Sequence, residues 1–108
     1  RYQLPIYITE NGIPDSTDSK RAKFIYDHMV EIKRLIDHGV DVRRYYHWSL
    51  LDNMEWNDGY GPRFGLVEVD YDTLERHIRK SGYIYGELCK EKKISLRRSE
   101  YDNNHKKK

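Results

Sequence analysis

The sequence predicts an α/β fold organised around a parallel βαβ unit. Three segments support this prediction: an apolar, β-branched run at 4–9, apolar residues at helical spacing between 20 and 38, and a second strand-like run at 40–48. Two strands joined by a helical crossover lie parallel, with right-handed connectivity. Their C-terminal ends are therefore expected at the same edge of one sheet.

Glu10 stands at the end of the first predicted strand, directly before the turn signal Asn11-Gly12. In parallel α/β folds, reactive groups collect at this edge because strand ends hold side chains rigidly while the following loops vary. The residue is therefore either a functional carboxylate or a solvated glutamate that begins a turn. The strand pattern alone leaves both interpretations open.

The predicted helix begins near Lys20, with Asp18 or Ser19 as its N-cap, and ends at Gly39. Its apolar stripe should face the sheet. The stripe consists of Phe24, Ile25, Met29, Ile32, Leu35 and Ile36.

The second half of the chain contains fewer regular elements. A loop at 49–63 precedes a short apolar stretch at 64–67, and the segment 71–80 is predicted to be a polar connection. A last helix should follow, with Ser81 as its N-cap and an end near Lys92. Its inward face is predicted to hold Tyr83, Ile84 and Leu88, with Cys89 at the margin.

Composition limits the size of the core and the kinds of partner. A mean hydropathy of −1.00 and 35% charged residues do not predict a large independent core. The net charge of +2 comes mainly from basic residues at 97–98 and 106–108, so no nucleic-acid surface is expected. No apolar stretch approaches the roughly 20 residues of a membrane span, and no membrane partner is predicted. Residues 95–108 are expected to form a polar, basic, disordered tail.

Cys89 is the only cysteine, which excludes an intrachain disulfide and a cysteine metal site. We expect no metal and no cofactor. A lone thiol favours a reducing compartment such as the cytoplasm. The first residue is Arg1, which suggests a piece of a longer chain.

The stretch at 47–66 mixes aromatic and polar side chains in the way that carbohydrate sites do. Sugars present apolar C–H faces to aromatic rings and hydroxyls to carboxylates. Phe64 and Leu66 could equally be core packing, and the composition leaves both interpretations open. The site-like residues are Trp48, Asp52, Asn53, Glu55, Trp56, Asn57, Asp58, Tyr60 and Phe64.

Three segments, "ITENG" at 8–12, "WSLLDNMEW" at 48–56 and "GYGPRFGLVEVD" at 59–70, closely resemble the C-terminal part of glycoside hydrolase family 1. This family contains the β-glucosidases and their relatives. The resemblance implies a retaining β-glycosidase on a (β/α)8 TIM barrel. Residues 1–94 would supply strands seven and eight with their helices.

The resemblance also implies a role for each matching residue. Glu10 matches the catalytic nucleophile, and Trp48 matches the indole platform under the glycone, the sugar ring that is transferred. Glu55 matches the carboxylate that binds two glycone hydroxyls, although it could also be an ordinary loop carboxylate. Trp56 matches a hydroxyl-binding indole and Phe64 an aromatic wall.

Some positions depart from the family pattern. Met54 stands where phenylalanine is common, and Arg44 stands where glycine is frequent, so Arg44 must reach a rim or a carboxylate. Family branches that act on 6-phosphorylated sugars tend to have a small polar residue at the position of Glu55. The resemblance therefore implies unphosphorylated β-glycosides as substrates.

The family's acid/base glutamate follows an asparagine, and this chain contains no Asn-Glu pair. A retaining mechanism needs two carboxyl groups, so the chain alone is expected to be inactive. Its expected partners are the missing N-terminal barrel portion, a β-glycoside substrate, and a second copy through self-association. The alternative is a non-catalytic remnant that binds carbohydrate or associates with itself.

Overall fold

The structure is a computed structural model that describes residues 3–92. It contains two helices and two separate pairs of strands within that range. The elements in chain order are β1 (Ile6–Asn11), α1 (Arg21–Asp37), β2 (Val42–His47), a 3₁₀ turn (Trp56–Asp58), β3 (Val67–Val69), β4 (Arg76–Ile78) and α2 (Lys80–Glu91). The predicted tail at 95–108 lies outside the described residues.

Strands β1 and β2 are parallel neighbours joined by α1, which confirms the predicted βαβ unit. β1 begins and ends two residues later than predicted. Pro5 has no N–H to donate, so the first ladder bond runs from the amide of Ile6 to the carbonyl of Asp41 (2.8 Å). At the other end, the amide of Trp48 donates to the carbonyl of Asn11 (2.9 Å), which extends the pairing past Glu10.

The N-cap predicted for α1 is wrong. Neither Asp18 nor Ser19 caps this helix; instead Asp15 Oδ2 accepts hydrogen bonds from the amides of Lys20 (2.7 Å) and Arg21 (3.1 Å). The loop folds back so that a carboxylate several residues upstream reaches the first turn. Spacing rules assume a cap adjacent to the helix and miss this arrangement.

Asp18 caps the other helix. Its Oδ2 accepts from the amide of Ser81 (3.0 Å) and its Oδ1 from the Ser81 hydroxyl (2.5 Å), so the prediction of Ser81 as N-cap is also wrong. The N-cap position is Arg79, and Ser81 is fully buried in the first turn. Asp18 also pairs with the buried guanidinium of Arg21 (2.6 Å). One carboxylate thus ties the starts of α1 and α2 together.

Strand β4 lies within the segment predicted as a polar connection, and its hairpin partner β3 begins at the end of the predicted apolar stretch. Each strand has three residues, which is too short for an alternating pattern to be read from sequence. All three β4 residues are exposed, so no apolar run marks that strand.

The core is small, as composition indicated. Tyr83 is 64% exposed, against the prediction that it packs inward, because the inward face of α2 follows positions 81, 84, 85 and 88 at helical spacing. Leu35 and Ile36, in the last turn of α1, are also exposed. The core consists of Ile25, Leu66 and Leu88, with Met29, Ile84 and Tyr85 packed against them. Within residues 3–92, neither helix combines the length and the apolar character that crossing a bilayer requires.

Candidate active site

Glu10 lies on the face of the β1–β2 pair that the helices leave open. Between the pairs Ile8–Tyr45 and Asn11–His47, β1 holds two residues where β2 holds one, which is a β-bulge. Ile8 and Asn11 are half-buried, whereas Thr9 and Glu10 are both exposed. Among residues 3–92, no hydrogen bond or ion pair occupies the Glu10 carboxylate, so it is available to a ligand.

Trp48 follows the end of β2 directly. The hydrogen bond from its amide to the carbonyl of Asn11 places it beside the end of β1. The predicted meeting of Glu10 and Trp48 at one sheet edge is therefore confirmed. The Trp48–Ser49 peptide bond is cis. The Trp48 indole Nε1 donates to Glu55 Oε1 (3.1 Å), which brings two of the predicted binding residues together.

The loop that carries Glu55 is closed by backbone hydrogen bonds. The Glu55 amide donates to the carbonyl of Gly59 (2.8 Å), and the Asp58 amide donates to the Glu55 carbonyl (2.8 Å). Gly59 adopts a φ of 66°, which glycine tolerates without strain. Trp56 is 87% exposed, so its indole makes little contact with the rest of the described chain.

Phe64 is held next to Trp48 by the backbone, because the amide of the following residue, Ser49, donates to the Phe64 carbonyl (3.1 Å). Its side chain is half-buried. The structure therefore places four of the five predicted residues along the ends of β1 and β2 and the loop that follows, and directs the fifth, Trp56, into solvent.

Asp52 has a structural role that the sequence did not indicate. It is 4% exposed, and its carboxylate accepts two hydrogen bonds from Arg79 (2.9 and 3.0 Å) and one from Arg63 (3.2 Å). The amides of Gly65 (2.8 Å) and Val69 (3.3 Å) also donate to it. It therefore fixes the loop's shape and offers no oxygen to a sugar, in contrast to its inclusion among the site-like residues.

The charged form of Asp52 is favoured in the folded state. Burial acts to raise the pKa of this carboxyl, but the hydrogen bonds from Arg79 and from the backbone amides outweigh it and lower the pKa below its usual value. No local sequence pattern indicates this role, because Arg79 lies 27 residues away.

A polar cluster lies on the opposite, helix-covered side of the same strand ends. The Tyr45 hydroxyl donates to Asn11 Oδ1 (2.9 Å) and lies 3.4 Å from His47 Nδ1. The rings of Tyr45 and His47 pack against Tyr85 of α2, at 6.3 and 5.7 Å between centroids. Burial, with a contribution from the charge of Arg21, lowers the pKa of His47 to about 4, so its imidazole is neutral near pH 7.

Arg44 lies on the open face of the strand pair and forms no ion pair with a carboxylate among residues 3–92. Its guanidinium stands 5.6 Å from the centre of the Tyr7 ring, and its Nη1 donates to the Tyr46 hydroxyl (3.3 Å). Two aromatic neighbours on the open face thus accommodate the Arg44 side chain, which was predicted to need a rim or a carboxylate. Among the described residues, histidine, cysteine and acidic side chains form no group of three that could hold a metal ion.

The fold defines this chain as part of an α/β protein whose candidate chemistry lies at the ends of parallel strands. A sequence profile described as glycosyl hydrolase family 1 matches residues 1–94. The chain belongs to glycosyl hydrolase family 1. The solved structures it resembles are β-glycosidases of this family, which fold as TIM barrels.

Two curated relatives illustrate the similarity. The β-galactosidase of Sulfolobus acidocaldarius is 46% identical over 90 residues, covering 83% of this chain and 18% of the relative. Beta-glucosidase A of Acetivibrio thermocellus is 51% identical over 73 residues, covering 68% of this chain and 16% of the relative. The chain therefore spans less than a fifth of the length of either relative.

Solved structures give the same result. A β-glycosidase from Pyrococcus horikoshii superposes with a TM-score of 0.88 at 50% identity, covering 94% of this chain and 24% of that one. A hyperthermophilic β-glucosidase from Pyrococcus furiosus superposes with a TM-score of 0.86 at 39% identity. The superposition covers 97% of this chain and 22% of the glucosidase. The strand pair, its helices and the hairpin thus form a segment of the family barrel.

Proposed function

We propose that this chain is the C-terminal part of a retaining β-glycosidase that hydrolyses unphosphorylated β-glycosides. It supplies strands seven and eight of the barrel, the nucleophile Glu10 and the glycone subsite, while the acid/base comes from the N-terminal portion. The observation that carries the proposal is the meeting of Glu10 and Trp48 at one sheet edge, with Glu55 hydrogen-bonded to the Trp48 indole.

In the proposed first step, a Glu10 carboxylate oxygen attacks the anomeric carbon and forms a glycosyl ester. The bond to the leaving oxygen breaks, and that oxygen takes a proton from the acid on the N-terminal portion. Water then hydrolyses the ester, and the same acid residue acts as base. The exposed, unpaired state of Glu10 supports its role as the attacking group.

The glycone is expected to lie on the Trp48 indole, with two hydroxyls bound by Glu55. Trp56 and Phe64 complete the proposed subsite. The negative charge of Glu55 disfavours a phosphate at this position, which supports unphosphorylated substrates. The relatives include proteins named β-glucosidase and β-galactosidase, so the proposal covers both glycones.

The open face of the strand pair supports a requirement for a partner. Tyr7 and Tyr46 on this face are 52% and 47% exposed, and each strand of this pair has one unpaired edge within the described chain. Exposed apolar strands are a ready surface for association. We propose that the N-terminal barrel portion covers this face, and that a second copy does so when that portion is absent.

The test is a chimera in which residues 1–94 replace the segment they match in the Sulfolobus acidocaldarius β-galactosidase. Glu10→Gln should reduce kcat for an aryl β-glycoside by at least about a thousandfold, because a nucleophile is lost. Glu87→Gln, on the exposed side of α2, is the matched control and should retain the parent rate. Near-parental activity of Glu10→Gln would overturn the nucleophile assignment.

A further inference from the structure

We infer that Tyr45 and Gly12 are positioning residues that hold the Glu10 strand end against β2, Tyr45 through Asn11 and Gly12 through close backbone contact with Trp48. Neither residue is proposed to contact the substrate. Tyr45 lies on the helix-covered face, and Gly12 acts through its lack of a side chain. The inference rests on the proposed function, because it takes Glu10 as the nucleophile.

The β-bulge in β1 is the reason that this strand end needs additional attachment to β2. Thr9 and Glu10 together face a single residue of β2, so the regular ladder is interrupted at the residue that must be held most rigidly. The next residue, Asn11, restores the register. Its side chain is anchored by the Tyr45 hydroxyl (2.9 Å), across 34 residues of sequence.

The Tyr45 hydroxyl is well placed to act as a fixed donor. Its ring is half-buried and packs against Tyr85, so the phenol cannot swing into solvent without losing this contact. Burial and the nearby Tyr85 raise the pKa of Tyr45, which keeps the hydroxyl protonated and donating.

Gly12 provides the second attachment. A Cβ at this position would lie 1.9 Å from the carbonyl oxygen of Trp48 and 2.9 Å from its carbonyl carbon. These are backbone atoms, so any side chain at Gly12 would push the two strand ends apart. The hydrogen bond from the Trp48 amide to the Asn11 carbonyl (2.9 Å) lies at the same point of close approach.

These contacts fix the distance between the attacking carboxylate and the indole under the sugar. Displacement of about 1 Å can cost about a hundredfold in rate when reacting atoms must be aligned. Loss of the Tyr45 hydroxyl leaves Trp48 and Glu55 bonded to each other, so sugar binding should be retained. The predicted defect is therefore in bond formation at Glu10 and not in affinity.

The experiment measures that bond directly in the chimera, using a 2-deoxy-2-fluoro-β-glucosyl fluoride as probe. The Glu10–carbon bond forms as the C–F bond breaks and fluoride leaves with the electron pair, so no acid is needed. Tyr45→Phe should slow labelling about 10- to 100-fold, with an unchanged half-saturating concentration and one label per chain at the end. Tyr83→Phe, which removes an exposed hydroxyl on α2, should label at the parent rate.

Gly12→Ala provides an independent variant, with Gly86→Ala as control because nothing lies within 4 Å of a Cβ there. A parental labelling rate in Tyr45→Phe and Gly12→Ala would overturn the inference. A lower final number of labels per chain at an unchanged labelling rate would also overturn the inference, and so would failure of both variants to fold. Either result would indicate that these residues act in folding alone. Labelling of the parent chimera at a residue other than Glu10 would instead overturn the proposed function.

Discussion

Replacing Asp52 by asparagine should destabilise the site loop strongly, because it leaves the guanidinium of Arg79 buried without its counter-ion. The Arg79 side chain is 6% exposed and cannot reach water, whereas that of Arg63 is 25% exposed and can relax. Removing one partner of a buried ion pair costs about 3–5 kcal/mol. Asparagine keeps one acceptor oxygen for the amide of Gly65, so the backbone contribution is only partly lost.

The assay is urea denaturation of the chimera at pH 7, with Asp52→Asn compared with the parent and with Asp72→Asn. Asp72 is exposed, and its carboxylate has no hydrogen-bond partner among residues 3–92, so its substitution should change the free energy of unfolding by less than about 0.5 kcal/mol. If Asp52→Asn were as stable as Asp72→Asn, the assignment of Asp52 as the loop's buried anchor would be refuted.

The same pair also predicts a pH dependence. The pKa of Asp52 is lower in the folded state than in the unfolded state, where it is about 3.9. The carboxylate therefore contributes its stabilisation fully above pH ~4 and loses it as pH falls through the folded-state value. The difference in unfolding free energy between the parent and Asp52→Asn should accordingly shrink below pH ~4.

Two further predictions follow from the proposed function. Glu55→Ala in the chimera should lower kcat as well as raise KM, because hydrogen bonds to glycone hydroxyls strengthen as the ring approaches the transition state. A change in KM alone would show that Glu55 binds the ground state and the transition state equally. The 108-residue chain by itself should show no turnover of an alkyl β-glucoside, because its sequence lacks the Asn-Glu pair whose glutamate would protonate the leaving oxygen. Multiple turnover by a species that gel filtration shows to be monomeric would contradict this second expectation.

Sequence patterns sufficed for the elements whose signals are local. The apolar spacing at 20–38 predicted α1 to within a few residues, and the run at 40–48 predicted β2. The motif around Glu10 and the loop with Trp48 also stand out as linear patterns. Their spatial meeting follows from one general rule, that parallel strands end at the same edge.

Several features that sequence could not predict depend on partners distant along the chain. Asp18 caps a helix 63 residues later, and Asp52 binds a guanidinium 27 residues later. The contact of Tyr45 with Asn11 joins residues 34 apart on two strands whose register is set by a bulge. Such contacts leave no periodicity, because each depends on where the fold brings a single polar atom.

The hydrogen bonds from Ser81 to the Asp18 carboxylate also limit how the segment from β1 to α2 can be recombined among family members. A crossover between residues 19 and 80 would take the capping carboxylate from one parent and the helix that it caps from another. Such a hybrid keeps the first turn of α2 intact only when both parents carry compatible partners at these two positions. Crossovers before Asp18 avoid this constraint, so the segment from Asp18 to the start of α2 behaves as one inheritable block.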